Sequence, residues 1–452
     1  MSMPKNGKSV GIIGGGFAGL SAAVFLDSAG FDVTLFEKKP ILGGRAYAFL
    51  DRKTDTWVDN GQHLLIGAYH ETLKLLENIG ATRHLFFQKA ADVPLFSTDN
   101  RMVHFKPLNL PPPFNILAGL IRMPIFSLGE RIHFLGLGRE LRRLKKGKPR
   151  VSLDQTVNDW LGALNQSENT RINFWDPLTL AVLNDDPDVA GARMLAAVLV
   201  KGFLGGKKDS RLILPKENLN ELLAKPAQAC LELRGQKIRL GEGIAKIHIL
   251  NDRIQGLETD KGEIFRADDY MSAVPFSVLL RLIPPGFVET EPYFANLKLL
   301  KSSPIVSINL WFDRDILPHD FIGVAGRRVH WYFNKNRIYD VSHPPYHYMG
   351  VASGAYSLVD KSREEILEMT LKELNEAAPA SASAHLIHSL VNKEREATLS
   401  PQAGSEKFRP KQKSPFANLY VIGDWTDTGL PATIESAVLS ARLAVNDLER
   451  LL

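Results

Sequence analysis

The chain has 452 residues, 44% hydrophobic and 23% charged, which suits two well-buried domains and excludes a disordered or fibrous protein. One cysteine, Cys230, excludes an internal disulfide, and its apolar surroundings, Ala227 to Leu233, mark it as inert packing. The net charge of +5 is modest, no spacing of His and Cys suggests a metal site, and no nucleic-acid-binding module accompanies the basic residues.

The start, MSMPKNGKS, has no apolar core of the kind a signal peptide needs. Val10, Ile12 and Ile13 then read as a short buried strand, and Gly14, Gly16 and Gly19 form G-x-G-x-x-G. Phe17 to Ala29 continues as an apolar helix that Gly30 ends, and a second strand, Phe31 to Phe36, stops at Glu37. Gly14 permits a tight turn, Gly16 lets backbone approach a pyrophosphate, and Gly19 lets the helix lie close to the sheet. The phosphates would sit at the helix N-terminus beside Ala18, and Glu37, with Lys38 next to it, falls where a ribose-binding acid belongs. Strand, turn, helix, strand and acid in that order point to dinucleotide binding.

Gly43, Gly44 and Arg45 follow Glu37 as E-x5-G-G-R. Alone this would be a surface turn. With the first motif it resembles the FAD-binding amine oxidase and carotenoid desaturase superfamily, in which the glycine pair passes the flavin end of FAD and the arginine contacts the cofactor. Strands are expected at Ala46 to Leu50 and Thr56 to Asp59, then a helix from Tyr69 to Asn78. The segment WVDNGQHLLIGAYHETLKLL resembles one in the hydroxysqualene dehydroxylases, also called squalene-associated FAD-dependent desaturases, of hopanoid biosynthesis. That resemblance implies that Gly61, Gln62 and His63 lie near the isoalloxazine ring.

Residues from about 80 to 215 read as mainly helical, with proline-rich joints. The most apolar window, Leu110 to Gly129, holds four prolines and Arg122 and does not predict a bilayer span. Between Arg101 and Arg150 eleven basic residues face two acids, an excess of nine, densest at Arg139 to Arg150. An apolar surface beside a cationic one suits an anionic membrane face; the competing reading is a solvated helix end.

Ile238 to Leu240, Ile244 to Leu250, Ile254 to Thr259 and Ile264 to Arg266 read as a meander of four strands. In the superfamily the strand beginning at Ile244 contacts the adenine through its backbone, and Asp268 to Pro275 returns to the main sheet. A strand at Ile305 to Phe312 and a helix at Arg363 to Ala377 are expected in the stretch up to 414. The chain closes with LYVIGDWTDTGLPATIESA, residues 419–437. The resemblance implies that Gly423 and Asp424 end a strand at the ribityl-phosphate portion, and that a helix starting near Ala432, Thr433 and Ile434 points at the flavin N1 and O2 edge. Family members commonly show E-G-A where this chain has Glu435, Ser436 and Ala437.

The expected fold class is α/β: a Rossmann-like FAD-binding domain at 1–79, 215–275 and 415–452, with an inserted, discontinuous α+β substrate domain at 80–214 and 276–414. The resemblance to hydroxysqualene dehydroxylases covers nearly the whole chain. It implies reduction of a thirty-carbon isoprenoid alcohol, hydroxysqualene, to squalene: loss of the hydroxyl as water, and hydride from reduced flavin N5. It also implies an electron donor to FAD, with reduced nicotinamide as the candidate; the apolar run beside the basic one, with a water-insoluble substrate, leads to the expectation of a peripheral position on the cytoplasmic face of a membrane. Candidate cation-stabilising walls are Phe174, Trp175, Trp311, Phe312, Trp331, Tyr332 and Phe333. The candidate acid is His63, with Asp185, Asp186 and Asp427 as alternatives. A phytoene-type desaturase, which removes hydride from its substrate, is the competing reading, and a flavin-binding scaffold without turnover is another. Amine oxidation fits less well, because Thr433 stands where many amine oxidases carry a cage tyrosine and Ser307 about where they carry a lysine near N5.

Overall fold

The computed structural model describes residues 7–89, 91–148, 150–206 and 208–451; the first six residues of the N-terminal reading and Pro149 of the basic run lie outside these. Two sheets organise the chain, and the fold is α/β as expected. The first is a five-stranded parallel sheet in the order Lys237–Leu240, Asp32–Glu37, Ser9–Ile13, Asp269–Ser272, Leu419–Val421. We label Ser9–Ile13 β1 and Asp32–Glu37 β2. Both are almost wholly buried, the near-continuous apolar pattern of a parallel sheet covered on both faces.

Helix α1, Phe17–Ser28, crosses from β1 to β2, and ten of its twelve residues are buried. A helix apolar all round must be enclosed. Here the sheet lies on one side and the helix Ile434–Glu449 packs on another, in a core shared with Leu75, Leu76, Leu222 and Leu223.

The second sheet has seven strands, and three neighbours make up one side of it: β3, Ser302–Phe312, lies between β4, Tyr346–Ser353, and the edge strand β5, Leu386–Leu399. β3 runs antiparallel to both of the others. One face of this sheet, through Val306, Ile308, Leu310 and Phe312, packs on the helix Arg363–Ala377 around Ile366 and Leu374. The other face, carrying Ile305, Ser307, Asn309 and Trp311, is turned towards the first domain, because side chains alternate along a strand.

Within residues 80–214, Val93–Phe96 and Met102–Phe105 form the edge of the seven-stranded sheet, short runs that proline-rich flanks conceal. Two expectations need correction. The meander has three strands, because Lys237–Leu240 pairs in parallel with β2 as the outer strand of the first sheet. Gly241 causes the break: at φ +63° it turns the chain, and the Gly241 and Glu242 N–H groups donate to Lys39 O and Glu37 O, both at 3.0 Å. Phe312 and Tyr332 belong to the core behind the sheet, while Phe174 and Trp175 pack with Phe105 in the helical core, so none of these four lines the face turned to the first domain.

Candidate active site

The glycine turn leaves β1 at Gly14, where φ is +103°. A Cβ on Gly19 would sit 1.9 Å from the Gly14 carbonyl oxygen, so α1 crosses the strand at a distance that only glycine allows. Gly16 precedes α1 and no side chain caps the helix, so the N–H groups of its first turn, around Ala18, remain free for an anion. Glu37 is buried at the end of β2, where its carboxylate accepts the Gly15 N–H at 2.8 Å and the Lys39 N–H at 2.9 Å. Lys38 beside it is exposed, with its Cβ 3.2 Å from where a Cβ on Gly243 would stand; Ile244 follows directly and is half-buried.

The second loop lies on the first. Gly43 bridges to Gly16, its N–H donates to Gly15 O at 2.9 Å, and a Cβ on Gly44, at φ +65°, would stand 2.9 Å from Gly16 Cα. Arg45 then reaches the C-terminal motif. Its Nη2 donates to Asp424 Oδ1 at 2.5 Å, and its Nη1 donates to Ala397 O on β5 at 2.9 Å.

Gly423 sits at φ +147°, and a Cβ there would meet Trp425 Nε1 at 2.7 Å. Thr433 caps the helix Ile434–Glu449 by accepting the Ser436 N–H at 3.3 Å, and Ala432, Thr433 and Ile434 all keep partial exposure. Ser436, the departure from E-G-A, donates to Asp424 O at 3.1 Å and meets Thr428 Oγ1 at 2.7 Å. Glu435 is a structural residue, accepting the Glu71 and Thr72 N–H groups and the Thr72 hydroxyl at the start of the helix His70–Asn78. An uncapped helix start, a glycine backbone and an Arg45–Asp424 pair in one trough fit the pyrophosphate and ribityl regions of FAD.

Gly61, Gln62 and His63 lie where this trough meets the second sheet. A Cβ on Gly61 would stand 3.8 Å from Ser307 Oγ. Asp59, just before, forms a buried ion pair with Lys335, Nζ to Oδ2 3.0 Å; Lys335 also donates to Gln62 Oε1 at 2.6 Å. Tyr339 donates to the same Asp59 oxygen at 2.8 Å, and the Leu219 N–H to the other at 2.9 Å. Burial works to lower the Lys335 ammonium pKa, and the Asp59 carboxylate opposes it. Burial pushes the His63 imidazole down to about 4, opposed by Asp59 and helped by Lys335, so His63 is neutral at neutral pH.

The sequence reading missed Lys335 and Tyr339. The available signal is a lysine placed directly after the buried strand Trp331–Asn334, which the aromatic residues overshadow. Around this cluster the sheet face is apolar: Phe333, Met349 and Val351 pack with Leu64, Ile305, Trp331 and Tyr339. Trp311 is also on this face, stacked between His347 and His388 with its Nε1 donating to Thr56 Oγ1.

Of the alternative acids, Asp427 pairs with the exposed Lys411. Asp186 is exposed, its carboxylate accepting the Asp188 N–H at 2.9 Å. Asp185 is fully buried against Ser400 and Tyr356, and that burial raises its carboxyl above the usual range. A surface hollow of about 490 Å³ lined by Arg83, His84, Cys230 and Leu233 lies apart from all these motifs. Burial raises the Cys230 thiol, which therefore stays protonated.

The profile of flavin containing amine oxidoreductases matches residues 17–448. The chain belongs to that family. It is a FAD-dependent oxidoreductase. It is 28% identical to the 15-cis-phytoene desaturase of Synechococcus elongatus, over 96% of this chain and 94% of the relative. It is also 28% identical to the hydroxysqualene dehydroxylase of Rhodopseudomonas palustris, over 97% of this chain and 98% of the relative. Among solved structures, an oxidoreductase from Methanosarcina mazei superimposes with a TM-score of 0.77 at 19% identity, covering 97% of this chain and 100% of the other. That likeness speaks for the fold alone.

Proposed function

We propose that this enzyme converts hydroxysqualene to squalene, within squalene and hopanoid biosynthesis. The balance is one allylic alcohol and one reduced FAD giving one alkene, one water and oxidised FAD. The flavin supplies the hydride. The chain must supply a proton for the departing hydroxyl and a surface on which an electron-poor thirty-carbon chain meets little water. The observation that carries the reading is Lys335: an ammonium held against Asp59 and Gln62, beside an apolar sheet face and the Gly61–His63 segment. An ion pair on a hydrocarbon-binding face is costly to bury, and acid-assisted loss of water is a use for it.

A phytoene-type desaturase is the second reading. Two observations favour it: equal identity to a curated phytoene desaturase, and the neutral His63, which can accept a proton.

We further propose that the enzyme sits on the cytoplasmic face of a membrane, from which a water-insoluble substrate enters, and that a reduced nicotinamide reloads the flavin. No helix among the described residues is long and apolar enough to cross a bilayer. The helix Leu128–Lys145 instead offers a surface stripe: Leu128, Ile132 and Leu135 are 78%, 64% and 56% exposed, and Arg139 and Arg142 continue the same stripe.

The test is anaerobic incubation of chemically reduced holoenzyme with hydroxysqualene in deuterated water. Squalene carrying one deuterium at the carbon that lost oxygen, or at its allylic partner, is expected. Absence of squalene together with desaturation of phytoene by the oxidised enzyme would replace this reading with the second.

A further inference from the structure

We propose that Ser307, Asn309 and Asn392 form a hydroxyl-binding recess by which the enzyme selects an isoprenoid alcohol over a hydrocarbon of the same length; this rests on the active site assigned above. Ser307 is 1% exposed and Asn309 0%. Ser307 Oγ, Asn309 Nδ2 and Asn392 Nδ2 are all buried, and none has a hydrogen-bond partner in the protein. Buried polar atoms are almost always paired, so three orphans on one sheet face call for a ligand.

Their placement is specific. Ser307 on β3 is directly opposite Asn392 on β5, and Asn309 is two residues along β3 on the same face. His347 Nε2 lies 2.9 Å from Asn309 Oδ1, which occupies one end of that amide; whichever way the amide is turned, the other end is left over. On β4, the residues opposite Ser307 and Asn309 are Val351 and Met349, members of the apolar cluster that contains Phe333 and Leu64. Gly61 faces Ser307, a Cβ there standing 3.8 Å from Ser307 Oγ.

The result is a polar notch between the apolar cluster of Met349, Val351 and Phe333 on one side and the stacked Trp311, His347 and His388 on the other. A hydroxyl donates one hydrogen bond and accepts two, which matches one serine hydroxyl and amide donors. A polyene offers the notch nothing, and its binding would leave all three groups unpaired. The recess therefore bears on the choice that 28% identity to both kinds of relative leaves open.

The test uses oxidised holoenzyme, in which no reduction occurs, titrated in detergent with hydroxysqualene or with squalene while flavin absorbance is followed. Wild type should bind the alcohol about tenfold more tightly or better. Ser307→Ala and Asn392→Leu should each reduce that ratio, and together bring it close to one with affinity for squalene unchanged; Ser307→Thr, which keeps the hydroxyl, should restore it. Equal binding by wild type would overturn the proposal. So would an unchanged ratio in the folded double variant, or loss of FAD from that variant, which would assign the three groups to the cofactor. Alcohol preference without squalene formation on reduction would uphold the recess and count against dehydroxylation alone.

Discussion

Arg45 and Asp424, 379 residues apart in the chain, meet at 2.5 Å and join the N-terminal glycine loops to the C-terminal motif. Arg45 also holds Ala397 O on β5, so one guanidinium ties both sheets to the FAD trough. Asp424→Ala removes the partner of a half-buried charge. FAD content of purified, folded protein should fall at least tenfold, read by absorbance after gel filtration. Gly44→Val should do the same, because its Cβ has no room against Gly16. Full flavin retention by both variants would exclude this trough as the cofactor site.

Lys335 and Asp59 make a second long-range pair, and removing one member leaves an uncompensated charge in the interior. Lys335→Met and Asp59→Asn should each cost about 3–5 kcal/mol of stability in urea unfolding. The double variant Lys335→Met with Asp59→Asn should cost less than the sum of the two single variants. Strict additivity would show that the pair is not coupled. In the folded Lys335→Met protein, turnover should fall by two or more orders of magnitude while FAD stays bound.

Burial holds His63 and His330 down to about 4, and His347 well below its ordinary value. The unfolded chain protonates such rings near 6.5, whereas in the folded protein His63 and His330 are protonated only near 4. Between those values the unfolded state binds more protons. The contribution to stability is therefore complete above pH 6.5 and is lost as pH falls towards 4. From pH 7.5 to 5.5 the loss should be roughly 1 kcal/mol per ring, visible as a falling Tm. His330, whose Nδ1 accepts the Ser353 N–H at 3.1 Å, is the test position: His330→Gln should flatten the slope. A Tm that rises on acidification over this range would contradict the assignment.

The exposed stripe on Leu128–Lys145 makes separate predictions for its two halves. Replacing Leu128, Ile132 and Leu135 by serine should weaken cosedimentation with anionic vesicles by about two to three orders of magnitude at any salt concentration. Replacing Arg139 and Arg142 by glutamine should weaken it by about fivefold per charge at low salt, and less at high salt. Unchanged sedimentation of the serine variant would identify the stripe as ordinary solvent-facing surface.

The cofactor trough was legible because it depends on backbone: a glycine at φ +103° and another whose Cβ would strike a carbonyl leave fixed traces in sequence. Glu37 was legible because strand and helix lengths fix its distance from those glycines. The polar cluster was not, because Asp59 and Lys335 are 276 residues apart and only the sheet register brings them together. Nor were Phe312 and Tyr332 correctly placed: an aromatic residue on a strand signals burial, and only the packing of the helix Arg363–Ala377 decides which face is the core. Lys237–Leu240 read as a meander strand because β-branched spacing says nothing of parallel or antiparallel pairing.

The helix Ile434–Glu449 covers α1, and Leu419–Val421 completes a sheet begun at Ser9. During synthesis, both N-terminal glycine loops leave the ribosome some four hundred residues before Asp424. Until then α1, buried on nearly every side in the finished fold, has no lid. Completion of the FAD trough, and burial of α1 with it, therefore waits for nearly the whole chain.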